Sequence, residues 1–226
     1  MKMEKTVIGW LFTVIIIMGS LYGFTVKDEV DYTNNTIKIG KQEWMGENLN
    51  IRFFRNGDPI FEANSYEEWE YANIKGIPAW CYYNNNPRYG KTYGKLYNWW
   101  AVSDSRGLAL EGWHIPSDEE WNELQNYLDG IDNADEKSNF IKRWQSNGNN
   151  SNKSGSECIL GGCRSHEGAN LVGGAFYKID EIGYWWSRTS YLVDNAWSRS
   201  LTYKNRNFDK TSFVKIAGLS VRLIKD

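Results

Sequence analysis

Histidine occurs twice, cysteine three times and proline four times in a chain of 226 residues. Two histidines and three cysteines make a closed zinc site improbable. No H-E-x-x-H run, nucleophile elbow or phosphate-cradling glycine loop accompanies them. A surplus of positive charge is also missing. Lys and Arg number 26 against 28 Asp and Glu, a net charge of -2. The basic footprint that a phosphate backbone requires is therefore lacking, and no nucleic-acid partner is expected. A glycine triplet repeat is absent, which excludes a collagenous chain, and a mean hydropathy of -0.60 is too polar for a polytopic membrane protein. What the chain has in excess is aromatic: 12 Trp, 14 Tyr and 9 Phe. A disordered chain lacks such residues, so one loop-rich globular domain is expected.

One long hydrophobic run stands apart. Lys2 and Lys5 precede Val7 to Met18, which continues more weakly to Phe24 before Lys27, Asp28 and Glu29 end it. A charged start and an apolar stretch of about a dozen residues fit a secretory signal. No A-x-A-like cleavage site follows, and about 18 residues is near the lower limit for spanning a bilayer, so signal peptide and uncleaved anchor both stay open for residues 1–24. Positive charge before the run and acidic charge after it send the rest of the chain outward. The domain is expected to be exported to periplasm, outer surface or medium, with membrane contact through residues 7–24 if the segment stays. The first cysteine is Cys81, so a lipid anchor just after the run is excluded.

Residues 25–35 read as a polar linker or a first edge strand, and 36–226 as the domain. Ile37, Ile39 and Trp44 alternate with polar residues on either side of Gly40-Lys41, a hairpin pattern. Ser65 with Glu68, and Ser117 with Glu120, are capping signatures just before Trp69 and Trp121. After the second, Trp121, Leu124 and Leu128 recur at helical spacing and Gly130 closes the run, predicting a helix from about Ser117 to Leu128. Asp135 to Trp144 suggests a third helix. Gln145 to Ser156 is almost all Ser, Asn, Gly and Lys, a surface loop. The last third reads as short strands: Tyr184 to Thr189, Ala196 to Tyr203 and Ser212 to Ile224. Helices first and strands last imply an α+β fold, and no internal repeat is visible.

Five ordered blocks carry a resemblance: GKQEWMGENLN from Gly40, PAWCYYNNNPRYGKTYGKLYNWWAV from Pro78, GWHIPSDEEWNEL from Gly112, GYWWSRTS from Gly183 and SVRLIKD from Ser220. Together they resemble the Fibrobacter succinogenes major paralogous domain family over residues 36 to 226. The resemblance implies exported or lipid-anchored bacterial surface proteins of no established activity. It also implies a C-type-lectin-like fold related to the formylglycine-generating enzyme, and fold kinship is not function. The Glu-Pro-Asn, Gln-Pro-Asp and Trp-Asn-Asp signatures of calcium-dependent lectin sites do not occur.

Several residues are candidates for chemistry. Cys158 and Cys163 enclose Ile-Leu-Gly-Gly and, in an exported domain, read most simply as a disulfide. The same C-x4-C spacing binds copper in formylglycine-generating enzymes, which makes a copper-dependent oxidase an alternative. Cys81, amid aromatics, reads as a buried free thiol. His114 reads as packed and hydrogen-bonded, His166 as a turn residue, and Asp118, Glu119 and Glu120 as complements to a helix dipole. Trp99-Trp100 and Trp185-Trp186, if on strands, point to opposite faces and expose one indole per pair. Tyr82, Tyr83, Asn84, Asn85, Trp100, Trp186 and Arg188 are the expected ligand-binding residues, since exposed rings stack on sugars and amides bond hydroxyls. Asn84 to Asn86 read alternatively as a tight left-handed loop or a weak calcium loop. The expectation is a non-enzymatic module binding a polysaccharide or surface protein, with no cofactor beyond possible calcium. A structural envelope or pilus-like component is the third reading.

Overall fold

The structure, a computed structural model, describes residues 35–145, 160–165, 174–202 and 208–226. The expectations for residues 1–24, the linker before Asn35, the loop after Gln145, Cys158 and His166 lie outside these described residues. Among them no helix is long and apolar enough to cross a membrane.

The expected hairpin is present. Strands β1 (Thr36–Ile39) and β2 (Gln42–Met45) pair antiparallel about Gly40 and Lys41, with Ile37, Trp44 and Met45 fully buried. Strand β3 (Phe61–Glu62) leads to helix α1 (Tyr66–Lys75), whose Ser65 cap accepts the Glu68 amide while Gly76 closes the end in the left-handed region. Strand β4 (Ala79–Cys81), a short helix α2 (Gly90–Tyr93), β5 (Leu96–Tyr97), a one-turn helix α3 (Trp99–Val102) and β6 (Trp113–His114) follow. Helix α4 (Asp118–Asp129) begins with a complete capping box between Ser117 and Glu120 and ends at Gly130. Its neighbour α5 (Ala134–Gln145) buries Phe140, Ile141 and Trp144, the side that the sequence marked.

The second half is mostly sheet. Strands β7 (Gly161–Arg164), β8 (Phe176–Ile179), β9 (Ile182–Tyr191), β10 (Asn195–Thr202) and β11 (Asp209–Val214) form a sheet of order β11-β10-β9-β7-β8. The last strand, β12 (Ile224–Lys225), sits between β2 and β6. Helices and sheets thus mix as α+β. The expected strand from Ser212 to Ile224 is corrected. It stops at Val214 in a turn closed by the Ala217 amide on the Val214 carbonyl. Beyond the turn the chain becomes a buried spine rather than a strand of one sheet. Gly218 bridges Arg164, Leu219 bridges Tyr97 and Ser220 bridges Trp185. The amides of Leu49 and Met45 bond the carbonyls of Val221 and Leu223. One segment so ties the three sheets of the described residues together.

Strand β9 separates two aromatic cores. Trp185 joins Trp44, Trp121, Trp144 and Phe208 on the helix side, whereas Trp186 joins Tyr97, Trp99 and Trp113 on the other. Alternation along the strand sends the two indoles to opposite faces as expected, but both faces are covered. Trp185 and Trp186 are each 0% exposed, so the expectation of one solvent-facing indole there is overturned. Trp99 and Trp100 lie on a helix instead of a strand, because the Asn98 side chain caps the turn by accepting the Ala101 amide. Trp100 is half-buried and packs against the core.

Candidate functional site

Several residues of the five sequence blocks hold the fold. Asn48 Oδ1 accepts the Trp185 indole N–H at 2.7 Å and Arg222 Nη2 at 3.1 Å, while its Nδ2 donates to the Tyr93 carbonyl. Asn98 works the same way. It accepts from Ala79 N and Ala101 N and donates to the Ile77 carbonyl. Arg222, fully buried, lies over Trp144 and Trp185 with ring distances of 4.2 and 5.5 Å. A buried guanidinium is costly unless its hydrogens are bonded and its charge is compensated, and here the Trp144 carbonyl, the Asn48 amide oxygen and two ring faces do this at the Nη groups.

In the Asn-rich segment, two of the three side-chain amides, those of Asn85 and Asn86, are engaged by the chain itself. Asn84 and Asn85 have φ of 53° and 52°, the left-handed conformation that the second reading of the sequence anticipated. Asn85 Oδ1 accepts from the buried Arg164, and the Asn86 side chain caps the following turn at Arg88 N. Tyr83 is buried against Tyr89 and Phe176. Asn84 is exposed and Tyr82 half-buried. Tyr82 stands edge-on to Trp80, and both rings face the Lys95 ammonium at 4.8 and 4.4 Å.

Cys81 is a buried free thiol, as expected, and burial pushes its pKa up to about 11 against the opposing charge of Arg164. Cys163 is buried in the core, and no disulfide is present among the described residues. His114 also keeps its expected structural place, between Glu120 Oε1 at 2.6 Å and Asp226 Oδ1 at 2.7 Å. Burial raises the Glu120 pKa, but the Ser117 amide and His114 outweigh it and hold the carboxyl below its ordinary value. Asp118 goes beyond the dipole role. It is buried in an ion pair 2.7 Å from Arg199 and bonds Lys210 at 2.7 Å. Burial again pushes upward, and Lys210 and Arg199 prevail, lowering the pKa. No group of three or more His, Cys, Asp or Glu able to hold a metal occurs among the described residues.

What the structure assembles, and the sequence blocks did not mark, is the end of the β9–β10 hairpin. Tyr191 and Trp197 stack with centroids 4.0 Å apart and planes at 33°. Lys210 Nζ lies 4.0 Å from the Trp197 ring and bonds Asp118, so the indole is held between a tyrosine and an ammonium. Tyr191 is exposed, and the turn beyond it displays Leu192 and Val193 at 71% and 82% exposure. Leu192 has φ 58°, a left-handed conformation costly for a branched side chain. Lys215 secures the turn from behind through the Val193 carbonyl at 2.7 Å. Of the two expected binding residues on the same strand, Trp186 is buried and Arg188 is exposed. A cross-strand aromatic pair flanking a short turn was the available signal. It was hidden by a register shift between Ala196 and Ser198.

The chain belongs to the family described as the Fibrobacter succinogenes major domain, whose model matches residues 37–225. No curated protein and no solved structure matches it.

Proposed function

We propose that this protein is an exported, non-enzymatic recognition module that binds a glycan through the end of the β9–β10 hairpin. The observation that carries the reading is the Tyr191–Trp197 stack braced by Lys210. A ring already fixed by its neighbour loses little freedom when a pyranose lies on it, so stacking costs little ordering entropy. Arg188, Asp194 and Asn195 are polar neighbours of the ring in sequence, and Asn195 pairs directly with Tyr191, which puts an amide at the edge of the stack for sugar hydroxyls. The site moves from the expected Tyr82, Tyr83, Asn84, Asn85, Trp100 and Trp186 to this hairpin, with Arg188 retained. Trp186 and Tyr83 are interior residues, and the amide of Asn85 is engaged by Arg164. Export rests on residues 1–24 as read from the sequence, and the C-type-lectin-like likeness stays part of this proposal.

Affinity electrophoresis of the full chain against plant and bacterial polysaccharides, with and without calcium, tests the reading. Retardation that Tyr191→Ala removes is the expected result; retardation unaffected by that change overturns the placement. One observation favours a second reading, a protein partner: Leu192 and Val193 form an exposed aliphatic tip. It predicts no retardation by any polysaccharide and a concentration-dependent self-association in sedimentation that Val193→Asp abolishes.

A further inference from the structure

Lys95 is the least expected cation in the fold. The residue is only 3% exposed, and no carboxylate among the described residues lies within ion-pair distance of it. Instead Nζ reaches Asn50 twice, the backbone oxygen at 3.0 Å and Oδ1 at 2.5 Å, and the Tyr82 hydroxyl at 3.2 Å. Trp80 and Tyr82 enclose it with their ring faces.

The backbone forces this meeting. Gly94 has φ 72° and ψ -154°, a region that glycine alone visits readily. A Cβ there would stand 2.8 Å from the Leu49 carbonyl oxygen, the same oxygen that receives the Lys95 amide. The two chain segments therefore meet at Leu49 and Lys95, which brings the lysine side chain to Asn50. The Asn50 amide is also fixed in orientation, since its Nδ2 donates to the Gly90 carbonyl at 3.0 Å and leaves Oδ1 turned to the lysine.

We propose that Lys95 and Asn50 join in an intramolecular isopeptide bond. Nζ attacks the Asn50 side-chain carbonyl carbon, the bond from that carbon to Nδ2 breaks, and one Nζ proton leaves with Nδ2 as ammonia. A secondary amide remains, and neither oxidant nor reductant is needed. The Tyr82 hydroxyl, in contact with Nζ, is placed to relay that proton. Glu62, whose backbone pairs with Trp80 on the same sheet, is the carboxylate whose charge acts on Lys95.

Three features favour the reaction at this pair. Burial pushes the Lys95 pKa down to about 8 in spite of Glu62, which raises the share of neutral, nucleophilic amine. Nζ is already held against Oδ1, one bond from the carbon it attacks, so only a local rotation separates the hydrogen-bonded from the attacking arrangement. Converting a buried ammonium without a carboxylate partner into a neutral amide removes a desolvation cost that persists otherwise. The same burial closes the amine to outside reagents, so a partner within the chain is the one it can use.

Peptide mass mapping of the purified full chain tests this directly. The expected result is a cross-linked peptide joining the segments around Asn50 and Lys95, lighter by about 17 Da than the two segments summed, the mass of one ammonia. Trypsin then fails to cut after Lys95. Asn50→Ala and Lys95→Met each abolish the cross-linked species. Recovery of both segments uncoupled, with ordinary cleavage after Lys95, overturns the proposal, and this readout needs no variant to fold.

Discussion

The indole of Trp185 donates its proton to Asn48 Oδ1 at 2.7 Å, joining residues 137 positions apart in a fully buried bond. Trp185 comes from the GYWWSRTS block and Asn48 from GKQEWMGENLN, and Arg222 of SVRLIKD meets the same oxygen. The blocks that identify the family are, at these positions, a single buried polar network. Such a network specifies one arrangement of the core and is costly when broken.

Asn48→Ala is therefore predicted to destabilise the protein by about 3 kcal/mol, leaving Trp185 and Arg222 with unmet hydrogens in the interior. Urea unfolding reads this as a lower midpoint at unchanged slope. A loss below about 1 kcal/mol shows that the network contributes little.

Acid sensitivity follows from Asp118 and Glu120. Both carboxyls have folded pKa values below the ordinary 3.8 and 4.5. A depressed folded pKa contributes stability above the unfolded value, and that contribution is lost as pH falls through the folded one. Midpoints in urea should hold from neutrality to about pH 5 and fall steeply below about pH 4. Asp118→Asn should start lower and lose less over the acid range. Equal acid slopes for both proteins would show that Asp118 is not a source.

Leu192 offers a test of trade between stability and recognition. Glycine accepts its φ of 58° without strain. Leu192→Gly is predicted to leave stability unchanged or raise it by about 0.5–1 kcal/mol while weakening ligand retention. A clear fall in thermal midpoint contradicts the strain account.

The parts of the fold readable in sequence are those set by local chemistry. The β1–β2 hairpin, the Ser65 and Ser117 caps and the apolar side of α5 depend on residues within a few positions of one another. The exposure of Trp186 was not readable, because it depends on whether the far face of β9 is covered, and residues such as Leu219 and Trp113 do this from elsewhere in the chain. The run from Ser212 to Ile224 looked like one strand since a buried spine and a buried strand share the same apolar composition. For the proposed site, Arg188 lies inside a marked block, whereas Tyr191 and Trp197 fall outside the blocks and meet diagonally, since Tyr191 pairs directly with Asn195. Asn84 and Asn85 take the left-handed turn that the sequence offered as one reading, and the Asn85 amide is engaged by Arg164, a contact from far along the chain that no local pattern shows.

The most direct test of the account compares polysaccharide retardation and thermal midpoint for the native protein, Tyr191→Ala and Asn84→Ala. Tyr191 is exposed and should tolerate truncation, so Tyr191→Ala is predicted to lose retardation with its midpoint shifted by no more than about 3 °C, while Asn84→Ala keeps retardation. Retention of binding by Tyr191→Ala together with its loss in Asn84→Ala would return the site to the asparagine loop and contradict the assignment to the hairpin.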